Sequence, residues 1–134
     1  YVMKAGAGDL YEKQSSQLVF KTTKNPKIRS FAQMMVTDHS KSTADVKAAA
    51  QASGLNPKAP GLDAKKSAMI ADLTKSSGSA RDQLYVTQQK AAHQEALTLH
   101  KGYATAGDTP ALKATAAKIA PVVEHHIEML SAIK

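Results

Sequence analysis

Histidines on apolar helical faces are the residues of this sequence whose type and spacing best suit chemistry. In the stretch from Phe31 to Lys41, reading FAQMMVTDHSK, steps of three and four residues place His39 in one stripe with Met35 and Val46. A polar ring on a buried face requires a hydrogen-bond partner or a metal ion. The partner of His39 is therefore the first question that the sequence raises.

Two further histidines occupy comparable positions. His126 falls in an apolar series with Val123 and Leu130, whereas His125 is about 100° around the helix and is expected to face solvent. His93 lies on a face adjacent to the apolar side of its own segment. Imidazoles from separate helices that meet in a core could bind zinc, copper, iron or nickel.

The first segment of the chain supplies a carboxylate to such a site. Glu12 lies in line with apolar positions there, one turn after Asp9. One Glu and three His satisfy the ligand number and types of a divalent transition metal. The metal ligands that the sequence predicts are Glu12, His39, His93 and His126.

Structural hydrogen bonding is the competing interpretation. Core histidines commonly bond to a Tyr, Gln or carboxylate, and Tyr11, Gln14, Tyr85 and Gln89 are available for this. The sequence contains neither Glu-x-x-His nor His-Glu-x-x-His. The metal hypothesis therefore depends on the helices bringing the histidines together in space.

Other chemistries receive less support. Thioether binding of copper would use Met34, Met35, Met69 and Met129, but Met34 and Met35 point about 100° apart and methionine at helical spacing usually fills a core. Nucleophilic enzymes are disfavoured, because the chain has no cysteine, no Gly-x-Ser-x-Gly motif and no phosphate-binding glycine loop. The sequence does not predict an enzyme.

Composition predicts one domain over residues 1–134. The net charge of +7 permits weak attraction to polyanions or anionic membrane surfaces. The cations are scattered and only two Phe and four Tyr are present, so specific nucleic-acid binding is not expected. No apolar run approaches the roughly 20 residues of a transmembrane helix.

The elements that must position these side chains are helices. Apolar periodicity predicts long helices over residues 2–23, 26–53, 80–106 and 110–133, and a short helix over 63–76. Asn25-Pro26 and Thr109-Pro110 combine a capping residue with a proline at the first helical position. The expected fold is all-α: a four-helix bundle whose long crossover contains a short extra helix.

A family resemblance adds to this interpretation. The string FAQMMVTDHS, preceded by Glu12 and followed by Asp82-x-x-Tyr85, Gln89-x-x-x-His93 and Pro121-x-x-x-x-His126, resembles the bacterial family known as domain of unknown function 4142. The resemblance covers nearly the whole chain, although Arg81 stands where the family usually has an aromatic residue. It implies a ferritin-like bundle exported to the periplasm or cell envelope, with a signal peptide removed. It brings no established activity.

The resemblance also implies a set of site residues. Ferritin-like ancestry suggests a metal site between the helices, but this chain lacks the paired Glu-x-x-His motifs of di-iron proteins, so ferroxidase chemistry is not expected. One ion would be held by the three histidines with Glu12 as the fourth ligand. The side chains expected to surround and orient these ligands are Asp38, Asp82, Tyr85 and Gln89.

Three functions consequently remain open. The first is a non-catalytic envelope protein, with a stress-related role, in which the histidines are structural. The second is binding or storage of one transition-metal ion such as zinc, copper or iron. The third is a basic module that binds polyanions or anionic membrane surfaces.

Overall fold

Helices account for the regular structure of this chain. The computed structural model describes residues 1–133, and these contain five helices and no strand. The helices are α1 (Val2–Thr22), α2 (Pro26–Ala52), α3 (Ala64–Lys75), α4 (Gly78–Ala106) and α5 (Pro110–Ser131). The all-α prediction is confirmed, and each predicted helix has a counterpart with similar limits. None of the helices in the described part of the chain is long and apolar enough to span a membrane.

The proline-initiated helices begin where the sequence predicts. The Asn25 side chain accepts hydrogen bonds from the backbone N–H groups of Lys27 and Ile28, at 3.0 and 3.4 Å, and Pro26 occupies the first turn of α2. Thr109 precedes Pro110 in the same way, but its side chain makes no capping bond. Helix α5 continues through Pro121. Only the first of the two caps therefore stabilises its helix through a side chain.

The four long helices pack in a closed cycle. Helix α1 lies against α2 and α4, and α5 lies against α2 and α4. Helices α1 and α2 are joined by a short connection, as are α4 and α5, whereas α3 lies within the long connection from α2 to α4. Helix α3 packs against α1 and α4. The interior enclosed by the cycle is where side chains of all four long helices can meet.

Two apolar clusters fill the ends of this interior. One is formed around Phe31, Met35 and Tyr85, and the other around Val46, Leu112 and Val123. Along α2, His39 falls between Met35 of the first cluster and Val46 of the second. His126 lies in the same way between Val123 and Leu130 of α5. The buried histidines therefore belong to a polar layer between two apolar ones.

Helix α1 turns a largely polar face toward the interior. Its buried residues include Asp9, Glu12, Ser15 and Ser16, while the apolar Met3 is 87% exposed. Side-chain hydrogen bonds join it to α4: Tyr11 to Gln88 at 2.8 Å, Ser16 to Tyr85 at 2.7 Å, and Gln89 to Ser15 at 3.2 Å. These three bonds compensate for the desolvation of the polar groups that make them, whereas Glu12 Oε2 and Gln89 Oε1 are buried without a hydrogen-bond partner among the described residues.

Candidate metal centre

Three buried histidines from three helices meet in the polar layer. His39 of α2, His93 of α4 and His126 of α5 each offer a ring nitrogen, and these nitrogens lie within 4.8 Å of one another. These three residues are at most 5% exposed. The ring of Phe31 lies beside His93 and His126, with centroid separations of 6.1 and 6.3 Å. The cluster is thus enclosed by apolar surface on this side.

Each imidazole is also held by a hydrogen bond on its other nitrogen. His39 Nδ1 lies 2.7 Å from Asp9 Oδ1, and His126 Nε2 lies 2.8 Å from Asp38 Oδ2. His93 Nδ1 lies 2.8 Å from the backbone oxygen of Gln89. Carboxylate and carbonyl oxygens only accept hydrogen bonds, so the imidazole nitrogen must carry the proton in each pair.

This proton placement determines which nitrogens can bind a ligand. In the neutral ring, the nitrogen without the proton presents a lone pair. The lone pairs are consequently on Nε2 of His93 and Nδ1 of His126, and these two atoms lie 3.3 Å apart. Two lone pairs that face each other at this distance repel unless a proton or a cation lies between them. His39 Nε2, the nitrogen of that ring which does not bond to Asp9, has no hydrogen-bond partner among residues 1–133.

The spacing agrees with coordination of one ion. Nitrogens bound tetrahedrally to zinc at about 2.0–2.1 Å lie about 3.3–3.4 Å apart. The distance of 3.3 Å between His93 Nε2 and His126 Nδ1 matches this value. The other nitrogen separations do not exceed 4.8 Å. Shortening them by about 1.5 Å or less would complete a three-nitrogen site.

Burial and the neighbouring carboxylates set different pKa values for the three rings. Burial, together with the positive charge of His39, lowers the pKa of His93 to about 3. Burial also lowers the pKa of His126, although the bond to Asp38 opposes this. For His39 burial is outweighed by the hydrogen bond to Asp9 and by Glu12, so its pKa is raised. His93 and His126 are therefore neutral near pH 7 and available as ligands.

Glu12 lies next to the cluster but outside the group of converging nitrogens. Its Oε1 is 3.8 Å from His93 Nδ1, the nitrogen that faces away from His126. Its Oε2 has no hydrogen-bond partner among the described residues. Burial, aided by the charge of Asp9, raises the pKa of Glu12 to about 7. Coordination by Glu12 as a fourth ligand stays a prediction.

The other predicted site residues have separate positions. Asp38 contacts His126, and Gln89 contacts His93 through its backbone oxygen. Asp82 instead accepts a hydrogen bond from Thr23 at 2.9 Å, and the Tyr85 hydroxyl bonds to Ser16. The contacts of Asp82 and Tyr85 hold α1 and the residue that follows it against α4, and neither contact involves a histidine.

Two contacts were not assigned by sequence reasoning. The first is Asp9, which orients His39; its position one turn before Glu12 was the signal available. The second is His100, whose Nδ1 lies 2.7 Å from the Tyr1 hydroxyl and whose ring is buried. Met34, Met35 and Met129 pack in the apolar cluster around Phe31, in agreement with a filling role.

Comparison with known proteins gives a family but no relative of known activity. The family model described as Domain of unknown function (DUF4142) matches residues 1–133. No curated protein and no solved structure matches the chain. The motifs around His39, Tyr85, His93 and His126 had indicated the same family from the residues alone. This chain belongs to the DUF4142 family.

Proposed function

We propose that this protein binds one divalent transition-metal ion through His39, His93 and His126. The observation that carries the proposal is the pair of facing nitrogens, His93 Nε2 and His126 Nδ1, at 3.3 Å. Hydrogen bonds on the far side of each ring direct both lone pairs into the same space. A cation between them converts an unfavourable contact into two coordinate bonds.

A shared proton is the simplest alternative to a metal ion. Adding this proton to either ring is unfavourable at neutral pH, because burial keeps the pKa of His93 near 3 and also lowers the pKa of His126. A divalent ion, in contrast, is balanced by the two carboxylates that orient the ligands, Asp9 and Asp38. Pairing with opposite charge reduces the penalty for burying an ion.

The ligand set favours particular metals. Three imidazoles suit zinc, copper, iron or nickel better than magnesium or calcium, which prefer oxygen ligands. The absence of paired Glu-x-x-His motifs favours a single ion over a di-iron centre. Binding or storage is therefore the proposed role, and the proposal includes no catalytic step.

The proposal places the site inside a ferritin-like four-helix bundle. Its support is the cycle in which each long helix packs against two others, together with α3 in the long connection. The family resemblance extends the proposal to a location in the bacterial periplasm or cell envelope. Localisation of the full-length protein by cell fractionation tests that part independently.

Metal titration of the purified chain tests the site. We expect the protein, freed of metal with a chelator, to bind one Zn²⁺ per chain at pH 7.5, as measured by calorimetry and elemental analysis. His39→Ala and His126→Ala should abolish this binding because each removes one of three ligands. His125→Ala is the matched control, since His125 is the exposed neighbour of His126 and should leave binding unchanged.

Two results would contradict the proposal. One is the lack of saturable binding of Zn²⁺, Cu²⁺ or Fe²⁺ by the wild-type protein. The other is equal loss of affinity in His125→Ala and His126→Ala, which would place the ion on the surface of α5. Circular dichroism of each variant shows whether the helices are retained.

A further inference from the structure

A cavity lined by both exposed and buried residues reaches His39. It has a volume of about 320 Å³ and is lined by residues from α1, α2, α3 and α4. The lining includes exposed side chains, such as Lys4 and Glu95, and buried ones, such as Glu12 and His39. His39 is the member of the histidine cluster that this cavity reaches.

The inner end of the cavity carries two unsatisfied polar atoms. Glu12 Oε2 and His39 Nε2 are buried, and neither has a hydrogen-bond partner within residues 1–133. The Glu12 side chain is only 5% exposed. An unpartnered carboxylate oxygen in such a place costs free energy that a cation can recover. The inner end is therefore suited to hold a cation beside the cluster.

The outer end of the cavity carries two carboxylates bridged by a lysine. Lys66 Nζ lies 3.5 Å from Asp63 Oδ2 and 3.3 Å from Glu95 Oε1. Both carboxylates are more than half exposed, whereas the Lys66 side chain is 10% exposed. The lysine thus joins the start of α3 to α4 across the mouth.

We propose that this cavity is the path by which a divalent cation moves between solvent and the histidine cluster, with Glu12 as the carboxylate that transfers the ion to His39. The inference rests on the proposed metal-binding function. Asp63 and Glu95 attract the hydrated ion at the mouth, where it competes with the Lys66 ammonium for their oxygens. Glu12 then replaces part of the hydration shell before the imidazoles take over.

The low exposure of the other two histidines makes the cavity at His39 the favoured route to the cluster. His93 and His126 are no more than 1% exposed, and Phe31 covers one side of both rings. His39 is 5% exposed and is the ligand that lines the cavity. An ion that arrives along the cavity meets Glu12 and His39 at its inner end.

A steric block of the cavity gives the first test. Gly8 lines the cavity, and a Cβ added there would meet nothing within 4 Å. Gly8→Leu therefore places a side chain in the path and also improves helix propensity in α1. Gly102→Leu is the matched control: Gly102 is on α4, has equal space around its Cβ, and is absent from the lining of this cavity.

The measurement is stopped-flow absorbance of Co²⁺ uptake by the metal-free full chain. We expect Gly8→Leu to slow both uptake and release by about tenfold or more and to leave Kd within about threefold. The reason is that a blocked path raises the barrier to passage of the ion without changing the stability of the bound state. Gly102→Leu should take up Co²⁺ at the wild-type rate. Melting curves confirm that both variants are folded.

Two charge variants give a second test, because they should change the rate of Co²⁺ uptake in opposite directions. Glu12→Gln should slow uptake and release together, because it removes the transfer carboxylate and retains the shape of the side chain. Lys66→Met should speed uptake by about threefold or more, because it removes a cation from the mouth. Lys41→Met is the control: Lys41 pairs with Asp45 on the exposed face of α2 and should leave the rate unchanged.

The outcomes separate the two proposals. Equal uptake by Gly8→Leu and Gly102→Leu, with wild-type Kd, would overturn the path and leave the metal site in place. Faster release with a weaker Kd in Glu12→Gln would make Glu12 a permanent ligand and overturn its transfer role. Failure of the wild-type chain to bind Co²⁺ and Zn²⁺ would overturn the proposed function and the path together.

Discussion

Hydrogen bonds on the outer ring nitrogens determine what the three histidines can do. His39 donates to Asp9, His93 to the Gln89 carbonyl and His126 to Asp38. Each bond fixes the orientation of a ring and leaves its other nitrogen unprotonated in the neutral form. Asp9 is buried, whereas the Asp38 side chain is 33% exposed, so Asp38 can be removed with less damage to the fold.

Loss of Asp38 should weaken metal binding without unfolding the protein. We expect Asp38→Ala to raise the Kd for Zn²⁺ by about 10–100-fold, because His126 loses its orienting acceptor and becomes less basic. Zinc titration in competition with a chelator measures this effect. Asp45→Ala is the control on the same helix, because Asp45 pairs with exposed Lys41. An equal Kd for both variants would show that Asp38 does not support the ligand.

At the scale of the helices, the sequence predicted most where the buried residues of a helix are mainly apolar. Helix α2 has a regular apolar stripe, so its limits and the inward direction of His39 could both be read from periodicity. Helix α1 buries Asp9, Glu12, Ser15 and Ser16 beside its apolar residues, so apolar periodicity alone did not mark its inner face. The apolar Met3 of this helix, for example, is 87% exposed.

The capping bond of α2 should make a measurable contribution to stability. Asn25→Ala removes the acceptor for two backbone N–H groups and is expected to lower the free energy of unfolding by about 1 kcal/mol. Urea unfolding of the metal-free protein measures it. Ser77→Ala is the matched control, because Ser77 precedes α4 without a side-chain capping bond. A similar loss in both variants would assign the effect to something other than the cap.

At the scale of the whole molecule, the meeting of the histidines could not be derived from sequence. Periodicity shows which face of a helix is buried, but not how far one helix is shifted along another. That shift brings His39 and His93 to a ring separation of 5.7 Å, and His93 and His126 to 5.3 Å. The same shift moves Asp82 and Tyr85 away from the cluster, where they bond to Thr23 and Ser16.

Buried neutral histidines should make the stability of the metal-free protein fall with acidification. Burial lowers the pKa of His100 from its usual 6.5 to about 4, while Asp9 opposes this shift. Between these values the unfolded chain binds more protons than the folded one, so the stabilisation present above pH 6.5 is lost as the pH falls toward 4. His93 acts in the same direction, with a pKa lowered to about 3. Glu12 acts in the opposite direction, because its pKa is raised to about 7.

A comparison of variants across pH isolates the contribution of His100. From pH 7 to pH 5, we expect wild-type protein to lose about 2 kcal/mol more of its unfolding free energy than His100→Asn, since the variant has no imidazole to protonate in the unfolded chain. Any constant destabilisation from the lost contact with Tyr1 cancels in this difference. Urea unfolding at both pH values, with a chelator present, measures it. Parallel losses in the two proteins would mean that His100 titrates normally in the folded state and that the buried ring is accessible to protons.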